Sequence, residues 1–237
     1  MGMIQGIIQQ ATYNGQMHMQ MLEKVAKNVA NYATTGYKAE RFDLYLGQDN
    51  GVRGVTRKDT TPANALITRR EFDIAIETPN AYFPVTQPDG TMAYTRDGRF
   101  SIGKDGYIST AQGDLLAPGI KIPPDFGRLI LSPDGSVQIQ PKKEGAKVEV
   151  GKIQLLSFTN PEGLKSVGDN KFMPTEASGE AVFSTQSKLA QGKLESSNVD
   201  LYDQIESVMR LNAGVLSNYR VIKYSDELFR QAVNLRQ

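Results

Sequence analysis

The sequence has no cysteine and a single histidine among its 237 residues. Without cysteine there can be no disulfide, no thiol nucleophile and no thiolate metal site. His18 stands alone, so neither a Ser-His-Asp relay nor a histidine-based metal cluster can be assembled around it. Long apolar runs are also missing. Nothing approaches the roughly 18 residues that suggest a membrane span, so no membrane insertion is expected. The N-terminus has no basic region, and Gln5, Gln9, Gln10 and Asn14 break up any apolar core, unlike a secretory signal peptide. An excess of one charge is absent as well. A formal net charge of +1 offers no bulk attraction to nucleic acid or anionic lipid, and Arg69-Arg70 and Lys142-Lys143 are too short to change that. No glycine-rich phosphate loop and no G-x-G-x-x-G after a strand is found. Enzyme chemistry has no foothold in these residues, and no catalytic, cofactor-binding or metal-ligating residue is expected.

What is present is a folded-protein composition, 39% hydrophobic and 22% charged, with two ends unlike the middle. From Ile4 to Tyr32, apolar or small residues recur at Ile4, Ile8, Ala11, Gly15, His18, Leu22, Val25, Val29 and Tyr32. Steps of four and three in alternation are the heptad period of a coiled-coil seam. A second row, Met3, Ile7, Met17 and Met21, widens the stripe. The other end repeats the pattern at Leu201, Ile205, Val208, Asn212, Val215, Tyr219, Ile222, Asp226, Phe229 and Val233. Two terminal helices are therefore expected to pack on each other, on copies of themselves, or on both. Asn28 and Asn31 share a face near the end of the first helix. They are read either as solvated or capping groups or as hydrogen-bonding groups at a helix contact. Ser197 or Asn198 is the expected N-cap of the second helix.

Residues 37–68 show no sustained period and are expected to form an irregular linking arm, with a turn at Gln48-Asp49-Asn50-Gly51. From Phe72 onward the pattern is that of strands. Phe72-Asp73-Ile74-Ala75-Ile76 alternates with period two, and Tyr82-Phe83-Pro84-Val85 follows, with Pro84 expected at an edge or bulge. Four Asp-Gly pairs, Asp89-Gly90, Asp97-Gly98, Asp105-Gly106 and Asp134-Gly135, are expected to turn hairpins, since Asp-Gly favours the positive φ that tight turns need. Their carboxylates stand singly, whereas calcium loops place acidic ligands at alternate positions. The middle therefore reads as an all-β domain of hairpins, and the whole chain as α+β with paired, coiled-coil-like terminal helices. The expected organisation is a discontinuous helical domain of residues 1–36 with 194–237, the arm at 37–68, and a β-domain at 69–188.

Several motifs also resemble one family. Asn28-Val29-Ala30-Asn31 with Thr34-Thr35-Gly36-Tyr37-Lys38 resembles the N-terminal signature of bacterial flagellar axial proteins. Phe72-Asp73-Ile74-Ala75-Ile76, Pro88-Asp89-Gly90 and Ala93-Tyr94-Thr95-Arg96-Asp97-Gly98-Arg99-Phe100 are similar to the β-domain of rod and hook subunits. Gln191-Gly192-Lys193-Leu194-Glu195-Ser196-Ser197-Asn198-Val199 resembles the segment that opens the family's C-terminal helix. The resemblance implies a structural subunit of the flagellar basal-body rod, with its paired helices in an inner tube and its β-domain outside. It implies copies of the chain itself, other rod subunits, and hook and rod-surrounding ring proteins as partners. It also implies passage through the flagellar type III export apparatus to the periplasm without a cleaved signal peptide. The β-domain motifs are similar to a distal rod subunit, while the short stretch Leu46 to Gly51 is more like a proximal one. The alternatives are a hook or hook-associated subunit and, from another class, a secreted β-rich binding module on a coiled-coil stalk.

Overall fold

A computed structural model describes residues 2–46, 52–142, 146–184 and 188–234. The chain is α+β, with an N-terminal helix, a central β-rich region and a C-terminal helix. It divides into two compact units, one of residues 1–30, 40–56 and 199–237, the other of residues 31–39 and 57–198.

The first unit is mainly helical. Helix α1 spans Gly2–Ala30 and α2 spans Leu201–Asn234, and strands β1 (Glu40–Leu46) and β2 (Val52–Lys58) pair as a ribbon. No proline interrupts either helix, and Lys27 in the last turn of α1 suits the negative end of the helix dipole. The helices meet through small and polar residues. Asn218 Nδ2 of α2 donates to the Ala11 carbonyl of α1 at 2.6 Å. A Cβ on Gly214 would lie 2.8 Å from His18 Nε2, so the imidazole rests where only glycine leaves room. The N-cap of α2 is Asp200, whose Oδ1 accepts from the Tyr202 amide at 2.8 Å. The cap is thus neither Ser197 nor Asn198. Asn198 is occupied elsewhere, as described below.

The expected irregular arm at 37–68 carries β1, β2 and β3 (Ala65–Ile67). Their partners are each other or β18 (Lys193–Glu195), far along the chain, and a local period does not report that kind of pairing. The turn expected at Gln48-Asp49-Asn50-Gly51 falls outside the described residues.

The second unit is built from short strands. β4 (Ile74–Ile76), β5 (Ala81–Thr86), β6 (Met92–Thr95), β7 (Phe100–Ile102), β8 (Ile108–Thr110) and β9 (Leu115–Leu116) come first. β10 (Phe126–Leu131), β11 (Ser136–Pro141) and β12 (Val148–Lys152) form an antiparallel meander. β13 (Leu156–Ser157), β14 (Lys165–Gly168), β15 (Lys171–Met173), β16 (Val182–Phe183) and β17 (Leu189–Gln191) complete the set before β18. The main sheet runs β14-β15-β6-β5-β9-β8-β7.

Strand β5 is the hinge of the packing. Successive side chains of a strand point to opposite faces. Phe83 accordingly enters one core, edge-on to Phe100 at 5.1 Å between ring centres, with Ile74, Ile108, Leu116, Leu129 and Val137. Tyr82 enters a second core with Tyr94, Phe158 and Phe172. Pro84, expected at an edge or bulge, lies in this interior strand. Its position is still consistent with its missing amide. On one side β5 pairs with β13 through Ala81 and Tyr82 and with β9 through Val85 and Thr86, and Pro84 falls in the gap between those partners.

Candidate functional site

Two arrangements stand out, one in each unit. In the helical unit, Asn28 is 2% exposed and ties three elements together. Its Nδ2 donates to the Glu40 carbonyl at 2.9 Å and to Gln204 Oε1 at 3.1 Å, while the Glu40 amide donates to Asn28 Oδ1 at 2.8 Å. The Glu40 carboxylate, also buried, takes Lys24 at 3.4 Å and Lys27. Asn28 is thus a hydrogen-bonding group at a helix contact. Asn31 is half-buried and accepts from the Thr34 hydroxyl at 3.2 Å, one of the bonds of the turn that follows α1.

The apolar rows of the helices are placed differently from Asn28. In α1, Ile8, Leu22 and Val29 are exposed and Val25 is half-buried; the side chain of Ile4 lies outside the described residues. In α2, Leu201 and Val208 are half-buried, whereas Ile205, Asn212, Val215, Tyr219, Ile222 and Phe229 are exposed. The covered row of α2 is Leu201, Gln204, Ser207, Val208, Leu211, Gly214, Asn218 and Ser225. Apart from Leu201 and Val208, it lies one residue before the expected seam, a turn of roughly 100° about the helix axis. Close approach explains the offset. Gly214 under His18 and Asn218 on Ala11 bring the backbones together, and the broader apolar row is left facing outward.

In the β-rich unit, polar side chains of the segment Gln191–Asn198 satisfy buried groups drawn from distant parts of the chain. Gln191 Nε2 donates to the carbonyls of Glu71 at 2.8 Å and Leu129 at 2.9 Å, and its Oε1 accepts from the Leu131 amide at 3.1 Å. Glu195, 3% exposed, accepts from Lys38 Nζ at 2.8 Å, from Arg96 Nε at 2.5 Å and from the Ala63 amide at 3.0 Å. Arg96 and Lys38 are themselves buried. Arg96 also donates to the Ala81 carbonyl at 2.6 Å, and Lys38 to the Thr61 carbonyl at 2.6 Å. Asn198 Oδ1 accepts from the Ala39 amide at 2.7 Å, and its Nδ2 donates to the Asp59 carbonyl at 2.8 Å. Gly36, at φ +67°, passes so close to the Arg96 backbone that a Cβ would lie 2.6 Å from it, and its amide donates to the Glu195 carbonyl at 2.8 Å.

The electrostatics follow from this burial. Desolvation pulls the Lys38 ammonium below its ordinary value of 10.5, against the opposing attraction of Glu195. Burial pushes Glu195 up, but the combined pull of Arg96 and Lys38 is stronger and holds the carboxyl below its ordinary 4.5. Tyr82, beside them, is pushed up to about 12 by burial.

Three of the Asp-Gly pairs stand at turns: Asp89-Gly90 between β5 and β6, Asp105-Gly106 between β7 and β8, and Asp134-Gly135 between β10 and β11. Their glycines have φ of +86°, +82° and +92°. Asp97-Gly98 does not turn a hairpin, because β6 and β7 are not neighbours in the sheet. Asp97 instead accepts from the Thr35 hydroxyl at 2.8 Å and from Arg99 at 2.8 Å. Gly98 is required by proximity, since a Cβ there would collide with the Ile74 carbonyl. Among the described residues, no group of three or more His, Asp or Glu could hold a metal, and no helix is long and apolar enough to cross a membrane.

The residues that sequence reasoning passed over are Gln191 and, as one connected set, Arg96, Lys38 and Glu195. Each lies in a motif noted above, but no spacing rule joins positions so far apart.

Comparison with known proteins accounts for these motifs together. Residues 75–139 match the family described as the flagellar hook protein FlgE/F/G D1 domain. The chain is 31% identical over 245 residues to the flagellar basal-body rod protein FlgG of Caulobacter vibrioides, covering 91% of this chain and 93% of that one. It is 30% identical to the flagellar basal-body rod protein FlgG of Buchnera aphidicola subsp. Schizaphis graminum, covering 89% and 92%. The counterpart in Buchnera aphidicola subsp. Baizongia pistaciae is 32% identical, covering 87% and 90%. The similarity covers most of this chain and of each relative, and on that extent the chain belongs to the flagellar basal-body rod protein family.

Proposed function

We infer that the chain is a structural subunit of the flagellar basal-body rod. The observation that carries this reading is similarity over nearly the whole length to basal-body rod proteins, joined to the outward apolar row on α2. Ile205, Val215, Tyr219, Ile222 and Phe229 recur at heptad spacing and are exposed in the lone chain. Such a row gains several kcal/mol by burial, at roughly 1.5–3 kcal/mol for each large side chain fully covered. Copies of the chain stacked helically would cover it, with residues 1–36 and 194–237 as a coiled-coil-like inner layer and residues 69–188 as the outer β-domain. The product is a hollow shaft that transmits torque and conducts exported subunits. In this reading the chain performs no catalysis. It resides in the periplasmic part of the basal body, reached through the type III export apparatus without a cleaved signal peptide. Its neighbours are other rod subunits, the hook and the rod-surrounding rings.

The test is assembly. Bacteria whose own copy of the gene is replaced by the Ile205→Asp variant should make the protein but isolate basal bodies without a complete rod. Complete rods with both Ile205→Asp and Tyr219→Asp would sink the reading. A hook subunit is the alternative, since the description of the matching domain family names the hook protein, but the curated relatives are rod proteins and do not favour it. Immunogold label on the hook, with the rod unlabelled, would overturn the rod reading.

A further inference from the structure

The segment from β17 through Asn198 is the last part of the second unit to exist as the chain is made, and much of that unit is finished by it. β17 pairs with β4, and β18 pairs with β3. Gln191 bonds backbone groups of Glu71, Leu129 and Leu131. Glu195 brings the carboxylate that Lys38 and Arg96 share. Until it arrives, those two cations are left without that partner. A buried charge that loses its partner is strongly destabilising, so Lys38 and Arg96 resist burial and hold the strands around them open. Arg96 follows β6 directly and reaches the carbonyl of Ala81 at the start of β5, so it couples the missing carboxylate to the centre of the main sheet.

We propose that the segment 189–198 is a folding gate: its docking, completed by Glu195, is the step that lets β5 and β6 close, so the β-rich unit stays open until nearly the whole chain is available. The proposal concerns the order of folding within one chain and does not depend on assembly. A contact added after the sheet has formed would stabilise it equally well, but would leave the rate of folding untouched.

The experiment is refolding of the full chain from urea, followed by tyrosine fluorescence and by pulse-labelled amide exchange. In the unmodified chain, amides of β5, β6 and β18 are expected to gain protection in one shared phase. Glu195→Gln, which keeps the shape and removes the charge, is expected to slow refolding about ten-fold or more while changing unfolding by about two-fold or less. Asp134→Asn, which alters an exposed carboxylate at a hairpin, is expected to leave both rates alone. Two results overturn the proposal. One is protection of β5 and β6 ahead of β18 in the unmodified chain. The other is a Glu195→Gln chain that refolds at the unmodified rate and only unfolds faster. Should Glu195→Gln not fold, the order of protection in the unmodified chain decides alone.

Discussion

The two units treat their apolar residues in opposite ways. The β-rich unit has a packed interior: Phe83, Ile108, Leu116 and Val137 are fully buried, and Gln191, Glu195 and Asn198 bond polar groups drawn from distant parts of the chain. In the helical unit Ile205, Met209, Val215, Leu216, Tyr219 and Phe229 of α2 are exposed, and Leu211 is the large apolar side chain of that helix that is buried among the described residues. One unit buries two apolar cores within a single chain, with Ile67 and Phe183 among the large side chains left outside, while the other leaves most of one helix's apolar row uncovered. Isolated amphipathic helices owe most of their stability to what they pack against. The difference therefore separates what the protein needs in order to fold from what it needs in order to assemble.

That contrast can be broken most sharply at the core. Phe83→Ala removes a buried ring stacked edge-on to Phe100 and should cost about 3–5 kcal/mol, read as a lower urea midpoint of the β-rich unit. Leu211→Ala should cost about 2–3 kcal/mol, at the low end for such truncations because one face of α2 alone is covered, and should lower helix content on heating. If Leu211→Ala changes nothing, the covered row of α2 has been misassigned.

Acid should then probe Glu195. Its folded carboxyl titrates below 4.5, so just under that pH the unfolded chain binds more protons than the folded one. The stability it contributes is complete above 4.5 and is lost as pH falls through the depressed folded value. The urea midpoint of the β-rich unit should fall on that acid limb, and the fall should be shallower in Glu195→Gln. Lys38 gives the alkaline counterpart. Its folded value lies below 10.5, so the cost of its buried charge is relieved as pH rises toward 10.5.

The smallest effect on the monomer is expected at Ile205→Asp. An exposed position away from any packing contact changes stability by about 0.5 kcal/mol or less. The same substitution should abolish assembly, measured by sedimentation of the polymer. A large loss of monomer stability would mean that Ile205 already has a partner within the chain.

The sequence shows the helices clearly, because four-three spacing is a local signal that survives any tertiary arrangement. It does not show which face is covered within one chain. That choice rests on Gly214 fitting beneath His18 and Asn218 reaching Ala11, contacts between positions about two hundred residues apart. The same division runs through the turns. Asp89-Gly90, Asp105-Gly106 and Asp134-Gly135 join strands that pair with each other, so turn chemistry alone locates them. Asp97-Gly98 has the same dipeptide but joins strands that are not neighbours, and Gly98 is there to clear the Ile74 carbonyl. The buried cluster was the least legible part. Lys38 and Glu195 are 157 positions apart, and neither belongs to a periodic pattern.

Gly36 and Asn198 lie on the first and last stretches of the β-rich unit, and each is bonded to the other stretch: the Gly36 amide to the Glu195 carbonyl, and the Asn198 side chain to the Ala39 amide. The β-rich insert is therefore fastened across its own mouth. An insert closed in this way behaves as a cassette. Its interior hairpins could be lengthened, trimmed or exchanged for those of a relative while its two ends stay tied to one another, provided that Lys38, Arg96, Gln191, Glu195 and Asn198 travel together.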